Sequence, residues 1–241
     1  GAAMCFGLGR AQGATGRHHE AWETLTRAFD YYEESGETAK AVAVAEYPLL
    51  FVASLVRATG MVERALSMVE PDSHEAGRLL SRQGLLVNLE TGDYNLAKEY
   101  FDHALSIAER ENDRILEMRT LAAAADADWY QLREDETLEK SLRAIELARL
   151  NDDPHTEAWP RFLAAFVSIV KGDPSTAMSL AAEMLNLAER LRDQGLVAMA
   201  CCANVALSLH KGDWESVREY SNRGLAIDPR ISWILVMRAL A

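Results

Sequence analysis

The sequence predicts an all-α protein, a stack of antiparallel helix hairpins, about six of roughly 40 residues each. Three observations carry this. Ala, Leu, Glu and Arg, all good helix formers, recur throughout, while the 241 residues include only 14 Gly and 6 Pro. Gly-Asp turns recur at Gly92-Asp93, Gly172-Asp173 and Gly212-Asp213, two 40-residue units apart and then one. The turn due at 132 is replaced by a polar interruption, Leu132-Arg133-Glu134-Asp135-Glu136. After each turn, apolar residues follow at helical spacing: Tyr94, Ala97, Phe101, Ala104 and Leu105, then Ala177, Leu180, Ala181, Met184 and Leu185. That stripe is the buried face of an amphipathic helix, and its alanines let a second helix approach closely.

Read in order, the pattern gives helices near 3–13, 18–34, 38–58, 61–70, 73–91, 94–111 and 114–131, then 134–151, 154–171, 174–192, 194–211, 214–226 and 230–240. The second carries Ala21, Leu25, Ala28 and Phe29 on one face, after Gly16. Asp153-Pro154, Asp173-Pro174 and Asp228-Pro229 read as helix starts, with Asp as the cap and Pro at the first helical position. No strand-like alternation of useful length and no linker appears, so one continuous domain over 1–241 is expected. The last segment, Ile231-Ser232-Trp233-Ile234-Leu235-Val236-Met237, is apolar where a solenoid usually ends on a polar cap. The expectation is a piece of a longer protein, or a last helix that caps the stack unaided or pairs between copies.

Composition narrows the function. The formal charge of −12, without a basic run, speaks against direct nucleic-acid binding, which needs several phosphates neutralised. Cys5, Cys201 and Cys202 are odd in number and lack C-x-x-C spacing, which fits buried free thiols in a reducing cytoplasm rather than a disulfide framework or a zinc site. No run of 18 apolar residues offers a membrane span, and Gly1-Ala2-Ala3-Met4 lacks the basic-then-apolar order of a signal peptide.

The segment Gly92-x-Tyr94-x-x-Ala97-x-x-x-Phe101-x-x-Ala104-Leu105 resembles the second helix of a tetratricopeptide repeat nearly position for position. Leu8-Gly9, Gly16, Ala21, Leu25 and Ala28 resemble it in the first hairpin, and Pro229 stands where the family often places proline. Leu132, Thr137 and Ser141 depart from the pattern. The resemblance implies a right-handed superhelix that binds partners on its inner surface. The family's usual unit is shorter, so 40 residues imply longer helices. The phrases Ala104-Leu105-x-x-Ala108-x-x-x-x-Asp113, Ala144-Ile145-x-Leu147-Ala148-x-x-x-Asp152 and Leu185-x-Leu187-Ala188-x-x-Leu191-x-Asp193 resemble the helical-repeat half of large bacterial regulators. These include LuxR-type ATP-dependent transcriptional activators, in which the repeats sense a ligand or partner and restrain an output domain.

Catalytic signatures are missing. Gly7-x-Gly9 lacks the lysine and spacing of a phosphate loop, and no G-x-S-x-G elbow occurs. His18 and His19 point about 100° apart on a helix and cannot easily share an ion. His74, His103, His155 and His210 show no ligand spacing, so no metal or cofactor is expected. In each of the pairs Asp126/Asp128 and Asp152/Asp153, one residue is expected to cap a helix and the other to face the groove or solvent.

The family's register places candidate groove residues on the first helix of each hairpin. These are Tyr47, Leu50, Phe51 and Arg57, then Arg82, Gln83, Leu86 and Glu90, then Arg119, Asp126, Trp129 and Tyr130, and last Trp159, Phe162 and Phe166. Singly, such rings fill packing between hairpins. Together with Arg82 and Arg119, the aromatics Trp129, Tyr130, Trp159, Phe162 and Phe166 form a candidate site, because aromatics and arginine anchor interfaces. The expected partner is a peptide or a neighbouring domain, possible alternatives being a small molecule such as a sugar, or a second copy through the segment from Ile231 to Ala241.

Overall fold

The computed structural model describes residues 1–14, 17–47 and 55–227, together with Pro229 and Leu235. Among them are twelve helices and no strand: α1 (Ala2–Ala14), α2 (His18–Glu34), α3 (Thr38–Ala45), α4 (Leu55–Leu66), α5 (His74–Thr91), α6 (Tyr94–Glu111), α7 (Arg114–Tyr130), α8 (Glu134–Leu150), α9 (Pro154–Val170), α10 (Pro174–Leu191), α11 (Gln194–Lys211) and α12 (Trp214–Ile227). The chain falls into two compact units, Gly1–Ala127 and Asp128–Ala241, so α7 spans the boundary.

The turns have a local cause. At 92, 112, 132, 152, 172, 192 and 212 the backbone is left-handed, with φ between 51 and 75°. The rhythm is therefore one such residue every 20 positions, twice as frequent as the Gly-Asp pairs suggest. Glycine occupies 92, 172 and 212, whereas Asn112, Leu132, Asp152 and Arg192 accept the same conformation at a cost of about 1–2 kcal/mol each. The next residue starts a helix. Asp93, Asp113, Asp153, Asp173, Asp193 and Asp213 each accept a backbone N–H three residues on, at 3.0–3.1 Å. Arg133 is the exception and has no capping bond. The turn expected near 132 is thus present, made without glycine or aspartate.

In the first unit, Trp22, Leu25 and Phe29 of α2 form one core with Val42 of α3, Met61 and Val62 of α4, and Leu79 and Leu86 of α5. The α5/α6 hairpin closes tightly because Gly84 faces Phe101, and a Cβ at Gly84 would lie 2.7 Å from the ring. In the second unit, Ile145 of α8, Ala164 and Ala165 of α9 and Leu180 of α10 pack together, and Val205 of α11 packs on Val217 of α12.

Two helix boundaries differ from expectation. The helix expected over 38–58 ends at Ala45, just ahead of Tyr47-Pro48, because the residue before a proline is pushed out of the helical region. The break expected near 60 is absent, and α4 runs through Gly60. The Asp228-Pro229 start and the helix over 230–240 lie outside the described residues, apart from Pro229 and Leu235. Among the described residues no helix is long and apolar enough to cross a membrane. Cys201 and Cys202 are buried free thiols, and burial pushes Cys202 up to about 12.

Candidate functional site

The first helix of each hairpin presents one stripe to its own partner helix and another away from it. In the second unit the outward stripe of α9 is aromatic. Trp159, Phe162 and Phe166 stand at spacings of three and four, on one face of the helix. Trp159 stacks on Phe162 with centroids 5.1 Å apart and planes at 17°, and Phe162 meets Phe166 at 5.1 Å. Phe166 receives Trp129, from the end of α7, edge-on at 5.7 Å. Four of the predicted site residues are therefore one continuous ladder of rings. Phe162 is 4% exposed and forms its floor, while Trp159, Phe166 and Trp129 are half-buried and form its surface. Phe166 also packs against the buried Val205–Val217 cluster of α11 and α12, as do Ala206 and Leu209 of α11. Tyr130, the neighbour of Trp129 on α7, is exposed.

In the first unit the outward residues are polar. Arg78 Nε donates to Glu46 at 2.6 Å, across from α5 to the end of α3. Burial pushes the Glu46 carboxyl up, against the pull of Arg78 and Arg119. Arg119 is exposed on α7, whereas Arg82 is buried and its guanidinium is brought down to about 10 by that burial. Asp126 is buried too. Tyr47 packs edge-on against Phe6, its hydroxyl 3.4 Å from the Arg10 carbonyl, under the Arg10 guanidinium. Phe51 and Leu50 lie outside the described residues, as does the side chain of Arg57.

One expected stripe serves another purpose. Gln83 is 1% exposed and donates to Glu63 of α4 at 3.3 Å, Leu86 lies in the first core, and Glu90 accepts from Thr59 of α4 at 2.5 Å. These three residues turn toward α4 and hold two helices together. One acidic pair also differs from expectation. Asp126 and Asp128 are both buried, with Asp128 paired to Lys140 of α8, so neither caps a helix nor faces solvent. Asp152 and Asp153 behave as read, the first exposed and the second a cap. His103 pairs with Asp72 at 2.8 Å, and His74 with Asp113.

The sequence reading missed a charged cluster in the second unit. Arg161, 3% exposed on α9, donates to Glu157 on the same helix and, at 2.7 Å, to Glu183 on α10. Arg149 of α8 reaches the same two carboxylates, Glu157 at 3.0 Å. Hydrogen bonds from Arg161 and Ser179 hold Glu183 below the usual carboxylate range despite the opposing cost of burial. The cluster borders a cleft of about 350 Å³ whose rim includes Asp152, Asn186 and Arg190. Its charges neutralise one another, so it ties three helices together. An i, i+4 Glu157–Arg161 pair was the available signal in the sequence.

Residues 80–111 match the family model described as tetratricopeptide repeat. No curated protein matches the chain. Among solved structures the chain is similar to PilW, a widely conserved type IV pilus biogenesis factor, with 15% identity and a TM-score of 0.63 over 100% of this chain and 98% of that one. It is similar to a signal transduction ATPase with numerous domains carrying a tetratricopeptide repeat sensor, from Pyrococcus horikoshii. There the identity is 15% and the TM-score 0.69, covering 100% of this chain and 36% of that one. It is also similar to YrrB, a tetratricopeptide protein with an unusual peptide-binding site, at 20% identity and a TM-score of 0.50 over 89% and 97%. At these identities the likeness is one of fold.

Proposed function

We propose that this chain, a fold of tetratricopeptide type with a matching repeat over residues 80–111, is a non-catalytic scaffold that holds a peptide or a neighbouring domain. The ladder Trp129–Phe166–Phe162–Trp159 supports this reading most directly. Aromatic residues are scarce, 7% of the chain, yet three share one face of α9 and meet a fourth from α7, with Trp129, Trp159 and Phe166 only half-buried. A partner covering them gains apolar burial on a rigid, pre-ordered surface. On the first unit, the exposed Arg119 near the Arg78–Glu46 pair offers a cation to a carboxylate of a partner, whereas Arg82 is buried. In its parent protein the scaffold serves as the sensing region of a bacterial signalling or transcriptional regulator, a reading favoured by the phrases quoted above and by the ATPase with a repeat sensor.

The test selects binders to the whole chain from a displayed peptide library and repeats the measurement with Trp159→Ala combined with Arg119→Ala. Binding should fall at least tenfold with the helical signal unchanged. Undiminished binding by the double variant refutes both surfaces. A second reading, a small ligand such as a sugar stacked on Trp159 and Trp129, is favoured if a small-molecule panel raises the melting temperature while no peptide is selected.

A further inference from the structure

The second unit also carries an exposed apolar line at the turns that join α7 to α8, α9 to α10 and α11 to α12, adjoining the aromatic ladder at Val170, four residues on from Phe166. Leu132, in the first of these turns, is 80% exposed. Val170 precedes the second turn, Met178 follows it, and Trp214 opens the helix after the third; all three are exposed. Two contacts set the turns side by side. Lys171 in the second turn pairs with Asp135 just after the first, and Lys211 in the third lies against the Met178 sulfur.

Leu132 is costly for the fold alone. It holds φ at 57°, where the equivalent positions in the other turns are Gly172 and Gly212, and it leaves a leucine in water. Its neighbours set the charge of the line. From 131 to 136, 171 to 176 and 211 to 216 there are three basic residues, Arg133, Lys171 and Lys211, against six acidic ones, Glu134, Asp135, Glu136, Asp173, Asp213 and Glu215. Arg133 is paired with Glu136 and Lys171 with Asp135. What remains is an apolar line with acidic margins.

We propose that this edge, at the turn end of the hairpins, is a second docking surface for a protein segment that alternates aliphatic and basic residues. Neighbouring helices pack about 10 Å apart, so three turns span about 20 Å, the length of about six extended residues. Alternate side chains of such a segment, about 7 Å apart, point to one side, and four of them cover the line of Leu132, Val170, Met178 and Trp214, while its flanking cations meet Glu134 and Glu215. The acidic margins choose this partner over an anionic membrane surface, which they would repel.

The experiment titrates the whole chain into a fluorescein-labelled seven-residue peptide of alternating leucine and lysine and reads anisotropy. Leu132→Gly with Trp214→Ala should weaken binding about tenfold or more, the loss that follows from removing buried apolar side chains. Glycine suits the backbone at 132, and an unchanged circular dichroism spectrum establishes that the variant is folded. Glu134→Gln with Glu215→Gln should flatten the salt dependence, and a leucine–glutamate peptide should not bind. Equal affinity of the Leu132/Trp214 variant overturns the proposal, because the net charge of −12 would then attract the peptide unaided. It is equally overturned if the wild type does not bind, or if the wild type dimerises and the variant does not, since the edge then belongs to a second copy.

Discussion

Replacing Arg161 by Met removes the centre of the buried charge cluster and keeps the length of the side chain. The guanidinium contacts Glu157 through two nitrogens, Nε at 3.1 Å, and Glu183 through a third at 2.7 Å, and both Arg161 and Glu157 are nine-tenths buried. Removing one partner of a buried pair strands the other charge at a cost of about 3–5 kcal/mol. Two features of the structure pull the value toward the lower end. Arg149 remains 3.0 Å from Glu157, and Glu183 is far enough into solvent to rehydrate. The expected loss is therefore about 3 kcal/mol, since one of the two cations on Glu157 survives. Urea unfolding followed by far-ultraviolet circular dichroism reads this as a lowered midpoint at unchanged slope. The companion double variant, Arg161→Met with Glu157→Met, should recover at least half of the loss, because the stranded carboxylate is gone. A single variant that loses under about 1 kcal/mol, or a double variant less stable than the single, would refute the view that these charges are buried against one another.

Two further predictions concern the repeat itself. Gly84→Ala places a methyl group 2.7 Å from Phe101 and should destabilise the α5/α6 hairpin by about 1–3 kcal/mol, read in the same urea titration, and Phe101→Leu should restore part of it. The cap carboxylates give an acid dependence. Side-chain hydrogen bonds from Thr176 and Ser175 hold Asp173 down to about 2, and Asp213 is lowered in the same way by Ser216. A carboxyl that titrates lower in the folded chain stabilises it fully above the ordinary carboxylate value and loses that contribution as pH falls toward about 2. The urea midpoint should therefore fall between about pH 4 and pH 2, and less so in Asp173→Asn with Asp213→Asn, since Asn also caps helices but does not titrate.

The parts of this protein legible in the sequence are those fixed by neighbours along the chain. The Asp-Pro starts at 153 and 173, the left-handed glycines at 92, 172 and 212, and the alanine stripes of α6 and α10 follow from hydrogen bonds and spacings spanning four residues or fewer. The aromatic stripe of α9 was legible for the same reason, because residues three and four apart share a face. The half-unit rhythm was hidden, since Asn112, Asp152 and Arg192 bend the chain as glycine does without announcing it. Packing across helices decided the rest. Residues of the same helix, Gln83 and Leu86 against Arg78, face different neighbours, and only the positions of α4 and α3 determine which stripe is buried. The same holds for Arg149 and Glu183, 34 residues apart, whose pairing with Glu157 and Arg161 needs three helices to converge. Helix periodicity states which residues travel together, and tertiary contact alone states what they meet, because burial depends on distances that no local spacing contains.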